Sequence, residues 1–129
     1  MGTSQFHMVF GWALMLLGGL SGAAIGLRFH EAGWAGGYGS FRRRMLRLGH
    51  IAFFGLGILN VLFALTVAQF SFDLAPARAA GTGFVVAGIG MSLTCFLAAW
   101  REAFRHLFFI PVLGVLVGIV GLLWGWGMP

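Results

Sequence analysis

The chain has no lysine, and only three acidic residues, three prolines and one cysteine among its 129 residues. Each shortage removes a class of function. A lone cysteine, Cys95, leaves no disulfide framework, no Cys-x-x-Cys metal or redox pair and no covalent c-type haem attachment. The acids Glu31, Asp73 and Glu102 all fall outside or at the ends of the apolar stretches, so no pair of carboxylates meets inside one, and no His-Glu-x-x-His zinc motif occurs. The serines and threonines within those stretches, Ser21, Thr66, Ser92 and Thr94, have no histidine at matching depth to act as a base. Hydrolytic and zinc chemistry therefore have no footing.

Apolar residues are what the chain has in excess: 60% of it is hydrophobic, 9% is charged, and it carries 22 glycines. A soluble domain of this size has too little interior to hide that much apolar surface. Four apolar runs, residues 8–28, 48–70, 79–100 and 107–126, each reach the roughly 20 residues that a helix needs to cross a bilayer. The expected fold is an all-α membrane protein, residues 1–129 forming one unit of four transmembrane helices. Short connections make successive helices antiparallel neighbours, an up-and-down bundle. If the fourth helix starts near Leu107, Pro111 sits in its first turns, where proline costs least; a start near Ala103 would make it a kink.

The formal net charge of +5 is compatible with nucleic-acid binding, but the placement of the arginines follows the membrane instead. Arg28, Arg42, Arg43, Arg44 and Arg47 lie between the first two spans, Arg101 and Arg105 between the last two, and only Arg78 near the middle connection. Seven against one is a positive-inside bias that places both arginine-rich connections in the cytoplasm and both termini on the non-cytoplasmic side. The expected setting is a bacterial inner membrane, with the lipid bilayer rather than nucleic acid as partner. The Arg42 to Arg47 cluster is read as a topology signal that also meets anionic headgroups. Trp34, Tyr38, Trp100, Trp124 and Trp126 fall near span ends, where amphipathic rings anchor helices.

Small residues recur at helical spacing. Gly11, Gly18, Gly22 and Gly26 line the first span, and Gly114, Gly118, Gly121 and Gly125 line the fourth, with a weaker stripe at Gly83, Ala87 and Gly90 or Met91 in the third. Such stripes let backbones approach closely in lipid, where no hydrophobic force favours helix contact over lipid contact. Either they pack this chain's own helices, or one of them faces another membrane subunit or a second copy.

Asn60 lies deep in the second span, where its amide needs a protein partner, and an interhelical hydrogen bond to Ser92 or Thr94 is the simplest expectation. At 100° per residue, His50, Gly57, Asn60 and Ala64 fall within an arc of roughly 80°, a small polar face that should point into the bundle.

His50 and His106 each open a span from the arginine-rich side, so they are expected at one level on diagonal helices. Two imidazoles so placed suit the two axial positions of a haem b iron, with His30 as a substitute ligand from the same side. Arg47, Arg101 and Arg105 would meet the propionates, and Gly57, two turns deeper than His50, would leave room for the ring. His7 would lie about 35 Å from His30 along a continuous helix and could not share that iron.

Three functions remain open from the residues alone. The first is a small membrane subunit of a larger respiratory or electron-transfer complex, holding haem b between the second and fourth helices and exchanging electrons with quinone. The second is a cofactor-free structural or assembly subunit packing through its glycine faces. A small four-span transporter ranks below both, since cation coupling needs a carboxylate inside a span. None of the three requires catalysis by the chain alone.

Overall fold

The computed structural model describes residues 2–127, with side chains as far as residue 125. Four long helices carry it: α1 (Thr3–Arg28), α2 (Phe41–Gln69), α3 (Leu74–Trp100) and α4 (Phe109–Gly127). Each crossing segment is long and apolar enough to span a membrane, and the exposed surface is rich in large apolar side chains such as Leu16, Leu20, Ile51, Leu65, Leu93 and Val120. That exterior is the one an integral membrane protein presents to lipid.

Successive helices are antiparallel and close together. Gly11 of α1 meets Gly57 and Val61 of α2, while Gly18 meets His50 and Phe54. Gly49 of α2 meets Cys95 and Phe96 of α3. Gly83, Ala80 and Pro76 of α3 meet Gly114, Gly118, Gly121 and Gly125 of α4 in the same opposed order. α1 and α3 run parallel, with His7 against Gly81 and Leu14 against Gly88. α4 makes its helix contacts with α3, so α3 is the central element; half of its most apolar window is buried, against 17% for the fourth span.

The glycines explain why these helices sit so close. A Cβ at Gly83 would lie 2.5 Å from the Gly114 carbonyl oxygen, and one at Gly114 would lie 2.8 Å from the Gly83 oxygen. The α4 stripe thus packs this chain's own α3, which resolves one of the two uses open to it. On α1 the stripe divides: Gly18 and Gly22 are pressed against Phe54 and His50, whereas Gly26 has nothing within 4 Å.

Helix ends depart from the apolar runs for local reasons. α2 begins seven residues before the apolar run because Ser40 caps it, its Oγ accepting the Arg43 N–H at 3.1 Å and donating to the Ala35 carbonyl at 2.7 Å. Between Trp100 and α4 the chain is wound as a tight 3-10 segment, Glu102–Phe108, and α4 starts at Phe109 rather than Leu107. Pro111 is then the third residue of α4, where its missing N–H breaks no helical bond. Trp126, expected at a span end, has its side chain outside the described residues.

Candidate functional site

Among the described residues five polar side chains are buried: His7, Arg43, Asn60, Ser92 and Thr94. Two of them meet. Asn60, fully buried on α2, directs its amide NH2 to the carbonyls of Leu56 at 2.8 Å and Phe84 at 3.3 Å. That orientation turns Oδ1 toward α1, where it lies 2.7 Å from His7 Nδ1. An amide oxygen can only accept, so Nδ1 carries the hydrogen and donates it. One residue thereby links α1, α2 and α3.

The expected partners of Asn60, Ser92 and Thr94, are not the ones it uses. Ser92 Oγ is buried without a hydrogen-bond partner. The reason is register: Asn60 lies level with Phe84, two turns from Ser92, and the antiparallel packing of α1 brings His7 beside it. The ring of His7 also stands edge-on to Phe63, with centroids 4.7 Å apart, and fits against α3 only because residue 81 is glycine: a Cβ there would lie 2.8 Å from Nε2.

Beside this node a cavity of about 370 Å³ opens between α1 and α3, lined by Thr3, Phe6 and His7 on one side and by Arg78, Gly81, Thr82 and Val85 on the other. Arg78 belongs to the first turns of α3 rather than to a loop.

The face of α2 predicted to turn inward does so. His50 lies against Gly22 of α1, Gly57 against Gly11 and Met15, Asn60 against His7, and the Ala64 carbonyl accepts from Ser4 Oγ at 3.0 Å. The residues proposed to hold a haem are distributed differently from the expectation. A Cβ at Gly57 would lie 2.7 Å from the Gly11 carbonyl oxygen, so the space expected for a macrocycle is filled by the backbone of α1. The His50 ring is half-buried in the α1–α2 interface, with Nδ1 lacking a hydrogen-bond partner. His106 is exposed on the 3-10 segment that packs on α3 and α4, and His30 is exposed in the turn after α1. Arg47, Arg101 and Arg105 are exposed. His50 thus lies in the α1–α2 interface and His106 on the exposed segment beside α3 and α4, and the room expected at Gly57 is taken by α1.

Arg43 has a role that its place in an arginine cluster concealed. It is fully buried, its guanidinium donating to the carbonyls of Phe29, Glu31 (3.2 Å) and Ala32 (3.4 Å). It stacks over Tyr38 at 3.9 Å and Phe29 at 4.2 Å, with Trp34 at 5.5 Å. The cation thus sits on the carbonyl of Phe29, the residue that ends α1, and on two linker carbonyls just beyond it, close to the negative end of the helix dipole. The glycine-rich linker folds around this side chain, with Gly36 and Gly37 at φ +88° and +91°, values that favour glycine. Its neighbours Arg42, Arg44 and Arg47 stay exposed, as a topology signal requires.

Among the described residues no group of three or more histidine, cysteine or acidic side chains is placed to hold a metal ion. No family model matches the chain, and neither a curated protein nor a solved structure is matched by it.

Proposed function

We propose that this protein is a cofactor-free integral membrane subunit that acts through its outer faces within a larger membrane assembly. The observation that carries this reading is the closure of its α1–α2 and α3–α4 interfaces. The glycine positions that could have left space are occupied by neighbouring backbone, at Gly11 and Gly57 between α1 and α2 and at Gly83 and Gly114 between α3 and α4. The buried amide of Asn60 has its partners within the chain. A chain this small with its helices in backbone contact offers partners its exterior, and the fourth span is the least covered of the four among the described residues.

The setting we propose is a bacterial cytoplasmic membrane, with Arg42, Arg44, Arg47, Arg101 and Arg105 toward the cytoplasm and both termini outside. A cation carrier would have to work without an intramembrane carboxylate: Glu31 pairs with Arg28 at 3.7 Å, and Asp73 and Glu102 stand at helix starts.

The haem b reading keeps one supporting observation, the unpartnered Nδ1 of His50. That nitrogen is buried, and His106 stands exposed on another element, which ranks this reading second. Native electrophoresis of the chain solubilised gently from its own membranes tests the first reading. Migration far above 13.8 kDa, together with other subunits, is expected; a free monomer at native expression overturns it.

A further inference from the structure

The cavity between α1 and α3 has a composition that selects a ligand, and the inference goes beyond the assembly role. Among its lining groups is the ring of His7, whose Nε2 lies against Gly81. With Nδ1 donating to Asn60, a neutral ring leaves a lone pair on Nε2. His7 is 3% exposed and lines this cavity, so a group seated in the cavity can meet it. The group that enters must therefore bring a donor.

That donor is uncharged. Among the described residues no carboxylate lines the cavity, and Arg78 at its wall repels an ammonium. A phosphate has acceptors where a donor is needed. A hydroxyl satisfies both conditions. The remaining walls, Phe6, Val85 and Val86, are apolar and suit a flat ring, while Thr3, Thr82 and Arg78 supply polar groups for a second oxygen. Arg78, Thr82 and Val86 also border a groove of about 580 Å³ between α3 and α4 that is otherwise lined by Ile110, Leu113, Val117 and similar residues. A polar-ended cavity thus adjoins an apolar trough.

We propose that this cavity binds a membrane-soluble hydroquinone, one ring hydroxyl donating to His7 Nε2, the other oxygen near Arg78 and Thr82, and the hydrocarbon tail along the α3–α4 groove. The proposal concerns binding alone; no electron transfer is assigned to this chain.

The test uses the full chain in phosphatidylcholine nanodiscs under anaerobic conditions, with decylubiquinol as probe and its bis-methyl ether as the analogue that lacks O–H donors. Binding is read by equilibrium dialysis. Decylubiquinol is expected to bind saturably, and the ether at least tenfold more weakly. His7→Phe should weaken the quinol by a similar factor. Since that change also cuts the bond to Asn60, Thr82→Trp serves as a second variant: it fills the cavity from its exposed wall, leaves the His7–Asn60 pair intact, and should abolish binding. Absence of saturable binding to the wild type overturns the proposal. So does equal affinity for quinol and ether, binding unchanged by Thr82→Trp, or a co-purified phospholipid that the quinol does not displace. None of these outcomes bears on whether the chain belongs to a larger assembly.

Discussion

His7 and Asn60 share a 2.7 Å hydrogen bond across the α1–α2 interface, and the same amide reaches the Phe84 carbonyl of α3. Three helices therefore meet at one fully buried side chain.

Coupling between these two residues should be measurable. Hydrogen bonds between membrane helices contribute on the order of 0.6–2 kcal/mol. A double-mutant cycle of His7→Leu and Asn60→Leu, read by reversible unfolding in mixed detergent micelles, should return a coupling of that size. Additive single effects would mean that the pair does not hold the helices together.

Arg43 should not tolerate lysine. An ammonium can neither fork between the Phe29, Glu31 and Ala32 carbonyls nor lie flat on Tyr38 and Phe29. Arg43→Lys is expected to cost about 1–3 kcal/mol and to speed proteolysis within residues 29–40. Arg44→Lys, on an exposed neighbour, should leave the digestion pattern unchanged.

Two glycine substitutions of the same kind should have opposite consequences. Gly83→Ala drives a methyl into the Gly114 carbonyl and should cost about 1–3 kcal/mol by forcing α3 from α4. Gly26→Ala meets open space and should change stability by less than about 0.5 kcal/mol. Thermal unfolding of the two variants in one detergent compares them directly.

The orientation in the membrane has a simple readout. In a Cys95→Ser background, Ser71→Cys should react with an impermeant maleimide added to intact cells, and Gly39→Cys should react only after permeabilisation. The reverse pattern would place the arginine-rich connections outside.

The parts of the fold that follow from one-dimensional pattern were legible in the residues: four crossings from the length of the apolar runs, the inward face of α2 from 100° spacing, and close packing from glycine stripes. Pro111 also fell where proline is tolerated. What pattern does not carry is register between helices. Asn60 needed a partner, but whether that is Ser92 or His7 depends on how far one helix slides along another, which the tight fit of Gly11 on Gly57 decides. One signal was available: continuing the α1 stripe one turn back from Gly11 reaches His7. Arg43 was hidden for a different reason. Charge counting treats every arginine in a cluster alike, and only the folded linker singles out the one whose guanidinium meets three carbonyls and three rings. Gly57 misled because an absent side chain makes room equally for a cofactor or for another backbone.

A reduced-minus-oxidised visible spectrum of the chain, purified from cells with ample haem supply, tests most directly whether its interior serves packing. The account predicts no haem band, in the wild type and in His50→Ala alike. A haem band in the wild type that disappears in His50→Ala would contradict it.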